Sequence, residues 1–306
     1  MSTNINICIS CDDNYAKHAG VVIASVLLNA GEDDEFSFYI LDGGISDKTK
    51  LRINRLKAIR NCDINFVAVD PEQFNIYNAV NSSKSSIVSY YRLKLTELLP
   101  KVDRVIYLDC DVIVRTSLES LFNTDLDDKY IAGVLDTRVK YKSQWKDTKY
   151  IDSGVLLIDL NKIRWDNAEN IFLDYTQKHL NEIKTGIQDI INFALDGKIK
   201  IVDDKWNVQV LSFFKRSSFT NNPYIIHYSG EQKPWIFASY NHFKKDYFKI
   251  LAKTPWKIPQ EELYKWGKWN DFCAFIHFIL GKSLFFFKLK FWDKILKSVP
   301  DEDTVE

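Results

Sequence analysis

Asp109-Cys110-Asp111 closes the apolar run Val105-Ile106-Tyr107-Leu108 and is followed by a second run, Val112 to Val114. Two carboxylates two positions apart, where a strand gives way to a loop, can converge on one divalent cation. A hard ion such as Mg²⁺ or Mn²⁺ takes oxygen ligands of this kind and shares them with phosphates. In an open α/β sheet, ligands bind beyond the carboxyl ends of the strands, and a strand this apolar is expected to be covered on both faces. The plainer alternative is two acidic residues in a turn. His227, in Ile225-Ile226-His227-Tyr228-Ser229-Gly230, also ends a short apolar run. A neutral imidazole there is a candidate third ligand and favours Mn²⁺, whereas a histidine taken alone is more often packed or solvated.

These groups need strands and helices to bring them together, and the pattern supplies them. Ile5 to Ile9 alternates as a first strand, and His18 to Asn29 reads as a helix stopped by Gly31. Phe36 to Leu41 is a second strand ended by Asp42-Gly43-Gly44. Ser46 to Ile59 carries a helical stripe, and Asn65 to Val69 is a third strand. Asn78 to Ser86 is polar and Ser-rich, a loop. Tyr90 to Leu99 reads as a helix ending before Pro100. Arg104 to Leu108, Tyr130 to Leu135 and Val155 to Leu160 read as strands; Ala168 to Leu180 and Gln188 to Leu195 read as helices. Arg138 to Lys149 has no clean period. Such alternation favours an α/β fold with a largely parallel sheet.

The chain has 306 residues, 46% hydrophobic, enough for a sizeable core. With 41 basic and 41 acidic side chains there is no global basic field, which argues against nucleic acid as a partner. Met1 to Asn6 lacks the charged, apolar and small-residue segments of a secretory signal, and no apolar run approaches about 20 residues, so a cytoplasmic location is expected. Cys8 and Cys11 form a C-x-x-C inside a strand pattern. Without further paired cysteines they read as packing residues rather than a redox or zinc motif.

Seven segments then fall in one order: Asp12-Asp13-Asn14-Tyr15, Leu41-Asp42-Gly43-Gly44-Ile45-Ser46, Tyr91-Arg92-Leu93, Tyr107-Leu108-Asp109-Cys110-Asp111, Ser153-Gly154-Val155-Leu156-Leu157, Gln188-Asp189-Ile190-Ile191-Asn192, and His227-Tyr228-Ser229-Gly230 with Lys233-Pro234-Trp235. In this the chain resembles glycosyltransferase family 8, the retaining enzymes that include bacterial lipopolysaccharide galactosyl- and glucosyltransferases, over residues 4 to about 250. The resemblance implies a GT-A fold: one Rossmann-like nucleotide-sugar-binding domain with a mixed, mostly parallel sheet. It implies a UDP-galactose or UDP-glucose donor and a Mn²⁺ ion, with Mg²⁺ as the alternative, held by Asp109, Asp111 and His227. It also places Ser10, Asp12, Asn14, Tyr15, Arg92, Asp109, Cys110, Asp136, Asp152, Ser153, Gly230 and Lys233 around the nucleotide sugar. Asp12 and Asn14 would meet the uracil and ribose, and Tyr15 would pack on the base. Arg92 would reach the donor sugar, Lys233 the diphosphate. Gly230 would let the backbone approach a phosphate.

A departing UDP gains negative charge, which a metal and Lys233 would absorb, while the sugar becomes oxocarbenium-like. The family's glutamine beneath the anomeric carbon corresponds to Gln188, with Asp189 the alternative catalytic candidate. Two positions depart from the family pattern. Asp152-Ser153-Gly154 stands where Asn-Ala-Gly is usual, and Ile187-Gln188-Asp189 where Asp-Gln-Asp is usual. Asp152 is expected to restore the lost acceptor for sugar hydroxyls if both positions face one pocket. A silent nucleotide-sugar-binding protein and a UDP-sugar hydrolase are the alternative functions.

Composition changes after Trp235, and a boundary is expected near 250, dividing a catalytic domain (1–250) from a helical carboxyl-terminal segment (251–306). From Lys265 to Lys297 there are seven lysines and two aspartates interleaved with ten Trp or Phe residues. Cationic, aromatic, amphipathic helices lie in the headgroups of anionic membranes. Peripheral attachment to the inner face of the cell membrane is therefore expected, beside a lipid-linked or lipopolysaccharide acceptor.

Overall fold

The computed structural model describes residues 3–80, 86–136, 149–210, 222–230, 233–236, 241 and 243–257. Strand β1 (Thr3–Cys11) alternates as its sequence requires. Ile5, Ile7 and Ile9 enter one core, and Cys8 enters the core on the other face. Helix α1 (Asp13–Leu28) follows at once, capped by Asp12, whose carboxylate accepts from the Tyr15 amide at 3.0 Å. The helix thus begins five residues before the apolar run that announced it. Asp12, Asn14 and Tyr15 sit on its cap and first turn, not in a free loop. β2 (Asp34–Asp42), α2 (Asp47–Asn54) and β3 (Asp63–Ala68) complete a parallel β1-β2-β3 unit.

Residues 87–94 form a 3₁₀-helix and only Leu95–Leu98 (α3) is α-helical, so the helix expected over 90–99 is wound tighter at Arg92. β4 (Arg104–Leu108) is covered on both faces, as its composition demands. Ile106 and Leu108 enter the core that holds α1, whereas Val105 and Tyr107 enter the opposite one. Each such apolar side chain contributes about 1.5–3 kcal/mol on burial. β5 (Val112–Val114) and α4 (Glu119–Phe122) follow, then β6 (Ile131–Leu135) and β7 (Ile151–Asp159). β7 begins four residues earlier than its apolar run suggested, placing Asp152, Ser153 and Gly154 inside the strand.

The remaining elements are α5 (Leu160–Trp165), α6 (Ile171–His179), α7 (Ile187–Ala194), β8 (Ile199–Ile201), β9 (Val208–Gln209), β10 (Ile225–His227) and α8 (Lys244–Leu251). Seven strands form one sheet in the order β3-β2-β1-β4-β7-β6-β8, in which β7 alone runs antiparallel to its neighbours. A second sheet is ordered β5-β10-β9. α8 lies against α1: the Tyr247 hydroxyl is 2.7 Å from His18 Nδ1, and the Trp256 ring occupies the space a Cβ on Gly20 would need. Packing on α1 therefore continues beyond residue 250. No helix among the described residues is long and apolar enough to cross a membrane. The basic, aromatic segment 265–297 lies outside the described residues, as do most of 138–149 and 81–85.

Candidate active site

The Asp109 amide donates to the Gly154 carbonyl at 2.8 Å, which seats the end of β4 beside the start of β7. The chain then leaves the large sheet. β5 pairs antiparallel with β10, setting His227 opposite Val112, and the Tyr228 amide donates to the Asp111 carbonyl at 2.9 Å. The change of sheet between β4 and β5 is what carries Asp111 to the histidine. One ligand atom from each of Asp109, Asp111 and His227 lies within 4.8 Å of the other two. Gly154 makes the gathering possible. A Cβ there would overlap His227 Cε1 and stand 2.8 Å from Asp109 Oδ2.

The charges around this cluster are strongly coupled. Burial pushes the Asp109 carboxyl up, against the pull of the Arg92 guanidinium. Burial also opposes ionisation of Asp111, but Lys233 and His227 outweigh it and hold that carboxyl far below the usual range. For His227 burial favours the neutral ring, yet Asp152 and Asp111 prevail and push it up to about 10. Lys233 donates to Asp111 Oδ2 and, at 2.9 Å, to the Tyr228 carbonyl. A lysine and an imidazolium thus balance the carboxylates. A dication on the same oxygens would do so with more charge at shorter range. Two carboxylates with one imidazole are a donor set that fits a divalent cation.

Arg92 is 5% exposed and fully engaged. Nε donates to the Ser89 carbonyl at 2.8 Å, Nη1 to the Ser153 carbonyl at 2.6 Å, and Nη2 to Asp109 Oδ1 at 2.6 Å. Its guanidinium lies 4.0 Å over the Tyr107 ring. On α7, Gln188 Nε2 donates to Asp136 Oδ2 at 2.6 Å. Asn192, one turn on, accepts from the Ile151 amide at 2.7 Å and donates to its carbonyl at 2.9 Å, locking α7 to the start of β7. Tyr15 is 42% exposed, met edge-on by His18 and Trp235, with ring centroids 5.5 and 6.1 Å away.

The profile of glycosyl transferase family 8 matches residues 6–238. The chain belongs to that family. General stress protein A of Bacillus subtilis (strain 168) is 29% identical over 269 residues, 81% of this chain and 93% of that protein. A lipopolysaccharide 1,2-glucosyltransferase of Escherichia coli is 27% identical over 281 residues, 85% and 82% of the two chains. Among solved structures, the galactosyltransferase LgtC with donor and acceptor sugar analogues superposes with a TM-score of 0.73 at 27% identity, covering 85% of this chain and 100% of LgtC. LgtC has also been solved as an active-site mutant in which a glutamine is replaced by glutamate. This family 8 member is a glycosyltransferase with the GT-A fold.

Within this family 8 structure several expected site residues come together. Asp109, Asp111, His227, Arg92 and Lys233 form one contiguous group, with Gln188 hydrogen-bonded to Asp136. Ser10, next to last in β1, has its carbonyl accepting from Cys110 Sγ at 3.2 Å, and the Ser153 carbonyl serves Arg92. Gly230 has φ +85°, which only glycine adopts without strain. No atom lies within 4 Å of where its Cβ would be, so the backbone twist rather than crowding requires it.

Asp189 is held by its own turn. Its Oδ1 accepts from the Tyr150 hydroxyl at 2.6 Å and from the Thr185 hydroxyl, and its Oδ2 from the Lys184 and Thr185 amides at 2.7 and 2.8 Å. A carboxylate offers about four acceptor sites. Four donors meet them, and Asp189 holds the turn before α7. Asp152 meets the histidine. It is 2% exposed and its Oδ1 lies 3.2 Å from His227 Nδ1, so it sits behind the imidazole. Asn207 was not singled out in the sequence at all. It is a lone amide in Trp206-Asn207-Val208, and only the approach of β9 to β7 and β10 reveals it.

Proposed function

We propose that this glycosyltransferase moves galactose or glucose from a UDP-sugar to a lipopolysaccharide or other surface-glycan acceptor, with retention at the anomeric carbon and a Mn²⁺ ion at Asp109, Asp111 and His227. The observation that carries the reading is the convergence of two carboxylates and an imidazole within 4.8 Å, with Lys233 at its edge. Bound there, the cation would supply Lewis-acid neutralisation of the diphosphate. Lys233 would exchange Asp111 for a phosphate oxygen and stabilise charge growing on the departing UDP. Tyr15, half exposed on the first turn of α1, presents a ring for the uracil. Arg92 holds Asp109 in register and opposes the upward push of burial on its carboxyl.

Gln188 is the group for the sugar cation. Its NH₂ end is spent on Asp136, which turns the amide so that its oxygen end carries the partial negative charge an oxocarbenium-like sugar needs. The active-site glutamine of LgtC supports this role. Enzymes of this type act where nucleotide sugars are made, so we place it in the cytoplasm, with the lysine- and aromatic-rich segment 265–297 attaching it to an anionic inner membrane surface near a lipid-linked acceptor.

The test is a donor screen: release of UDP from a panel of UDP-sugars with Mn²⁺, with and without lipopolysaccharide acceptor, and mass spectrometry of the product. Acceptor-dependent UDP release with one hexose added is expected. UDP release without any acceptor product would favour a hydrolase, and tight donor binding without release a silent binding protein. Either result overturns the proposal.

A further inference from the structure

Asp152 on β7 and Asn207, the residue before β9, meet behind His227, on the side away from Asp111. Asp152 Oδ1 is 3.2 Å and Asn207 Oδ1 3.0 Å from His227 Nδ1, while Nε2 lies 3.3 Å from Asp111 Oδ1. Asn207 Nδ2 donates to Asp152 Oδ1 at 3.0 Å, and the Gly154 amide donates to the same oxygen at 2.9 Å. Both side chains are buried, 2% and 1% exposed.

The hydrogen bonds leave one consistent assignment. An ionised carboxylate only accepts, so the Asn207 NH₂ must face Asp152 and the Asn207 oxygen must face the imidazole. Two acceptors then converge on Nδ1, which must carry a proton. Nε2 faces Asp111, so a cation bound there would take the place of the second imidazolium proton, on the side where Asp109 and Asp111 lie.

We propose that Asp152 and Asn207 are the outer half of the metal centre. Asp152 is a positioning residue that fixes the Nδ1–H tautomer of His227 and raises the basicity of its Nε2 toward a divalent cation. This rests on the reading that Asp109, Asp111 and His227 hold that cation. Partners of this kind behind a metal-ligating histidine fix its orientation, and their loss typically weakens metal binding about 10–100-fold. A buried third carboxylate close to Asp109 and Asp111 is also costly unless cations compensate it. Once a cation has displaced the Nε2 proton of His227, Arg92 and Lys233 supply two positive charges against the three carboxylates, leaving net negative charge for a dication. The departure from the family's usual asparagine at position 152 therefore strengthens the grip on the metal and does not replace a sugar contact.

The experiment is calorimetric titration of the full chain with Mn²⁺ alone, no donor present, at constant pH. Asp152→Asn keeps an oxygen for the Gly154 amide, so its melting temperature should stay close to that of the unaltered chain while its Mn²⁺ affinity falls about tenfold. Asn207→Ala should weaken Mn²⁺ in the same direction and covers the case in which Asp152→Asn does not fold. Asp111→Asn should remove binding altogether. Unaltered Mn²⁺ affinity in both Asp152→Asn and Asn207→Ala, with weaker UDP-sugar binding, would assign Asp152 to the sugar and overturn the proposal alone. No Mn²⁺ uptake by the unaltered chain would overturn the metal centre and this proposal with it.

Discussion

Arg92 Nη2 and Asp109 Oδ1 are 2.6 Å apart, and the arginine side chain is 3% exposed against 27% for the aspartate. The pair joins the 3₁₀-helix 87–94 to Asp109 just past β4, so the orientation of one carboxylate of the Asp109–Asp111–His227 cluster depends on a cation in another element. Arg92→Ala leaves that carboxylate without its cation. Stability should fall by about 3 kcal/mol, measured by urea denaturation, because removing one partner strands the other charge. Arg92→Lys cannot reproduce three donors in a fork and should recover only part of the loss.

Gly154 is occupied territory for any other residue. The methyl of Gly154→Ala would run into His227 Cε1 and crowd Asp109 Oδ2. Overpacking of this kind costs about 1–3 kcal/mol. Because the atoms displaced belong to the proposed metal site, the larger effect should be functional: thermal melting shifted by a few degrees, and UDP release lowered on the order of a hundredfold.

Gln188 and Asp189 are neighbours with opposite expected phenotypes. Gln188→Ala should lower kcat on the order of 10²–10³, the usual loss when one preorganised electrostatic contact is removed, with little change in melting temperature. Asp189→Asn should act mainly on folding. It puts an amide NH₂ where donors already converge from Lys184, Thr185 and Tyr150, and about 1–3 kcal/mol of stability should be lost. Comparing kinetics with denaturation for both variants checks the division of roles.

His18 makes a pH prediction. Its ring is stacked on Trp235 at 3.6 Å between centroids, and burial pulls its pKa down to about 3 from 6.5, with Lys17 adding to the effect. The unfolded chain therefore binds the proton more readily between those values. Stability from the neutral ring is fully present above about pH 6.5 and is lost as pH falls toward 3, with a slope on the order of one kcal/mol per pH unit. His18→Phe should flatten that part of the stability–pH curve, measured by denaturant midpoints from pH 7 to pH 4. Since Trp235 lies in the segment that carries Lys233, acid should also weaken donor binding in the unaltered chain more than in the variant.

The segment 265–297 carries a net charge of 7 − 2 = +5 among ten large aromatic residues. Truncation after residue 260 should move the protein from the membrane pellet to the supernatant, and added salt should do the same to the full chain by screening the lysines. Fractionation that ignores both treatments would remove the membrane from the proposed function.

Local patterns in the sequence were enough for the α/β class, for the strand that delivers Asp109, and for the order of segments that marks family 8. Those signals live in strand alternation, helix period and turn chemistry, all short-range. Only the tertiary structure shows what Asp152 and Asp189 touch. In the sequence each is one more carboxylate beside a motif. In the fold, β7 runs antiparallel to β4 and brings Asp152 behind a histidine from the second sheet, while the turn before α7 folds its own amides onto Asp189. Asn207 shows the same limit from the other side. An isolated amide has no periodicity to announce it, and its role exists only because three strands from two sheets meet at that point.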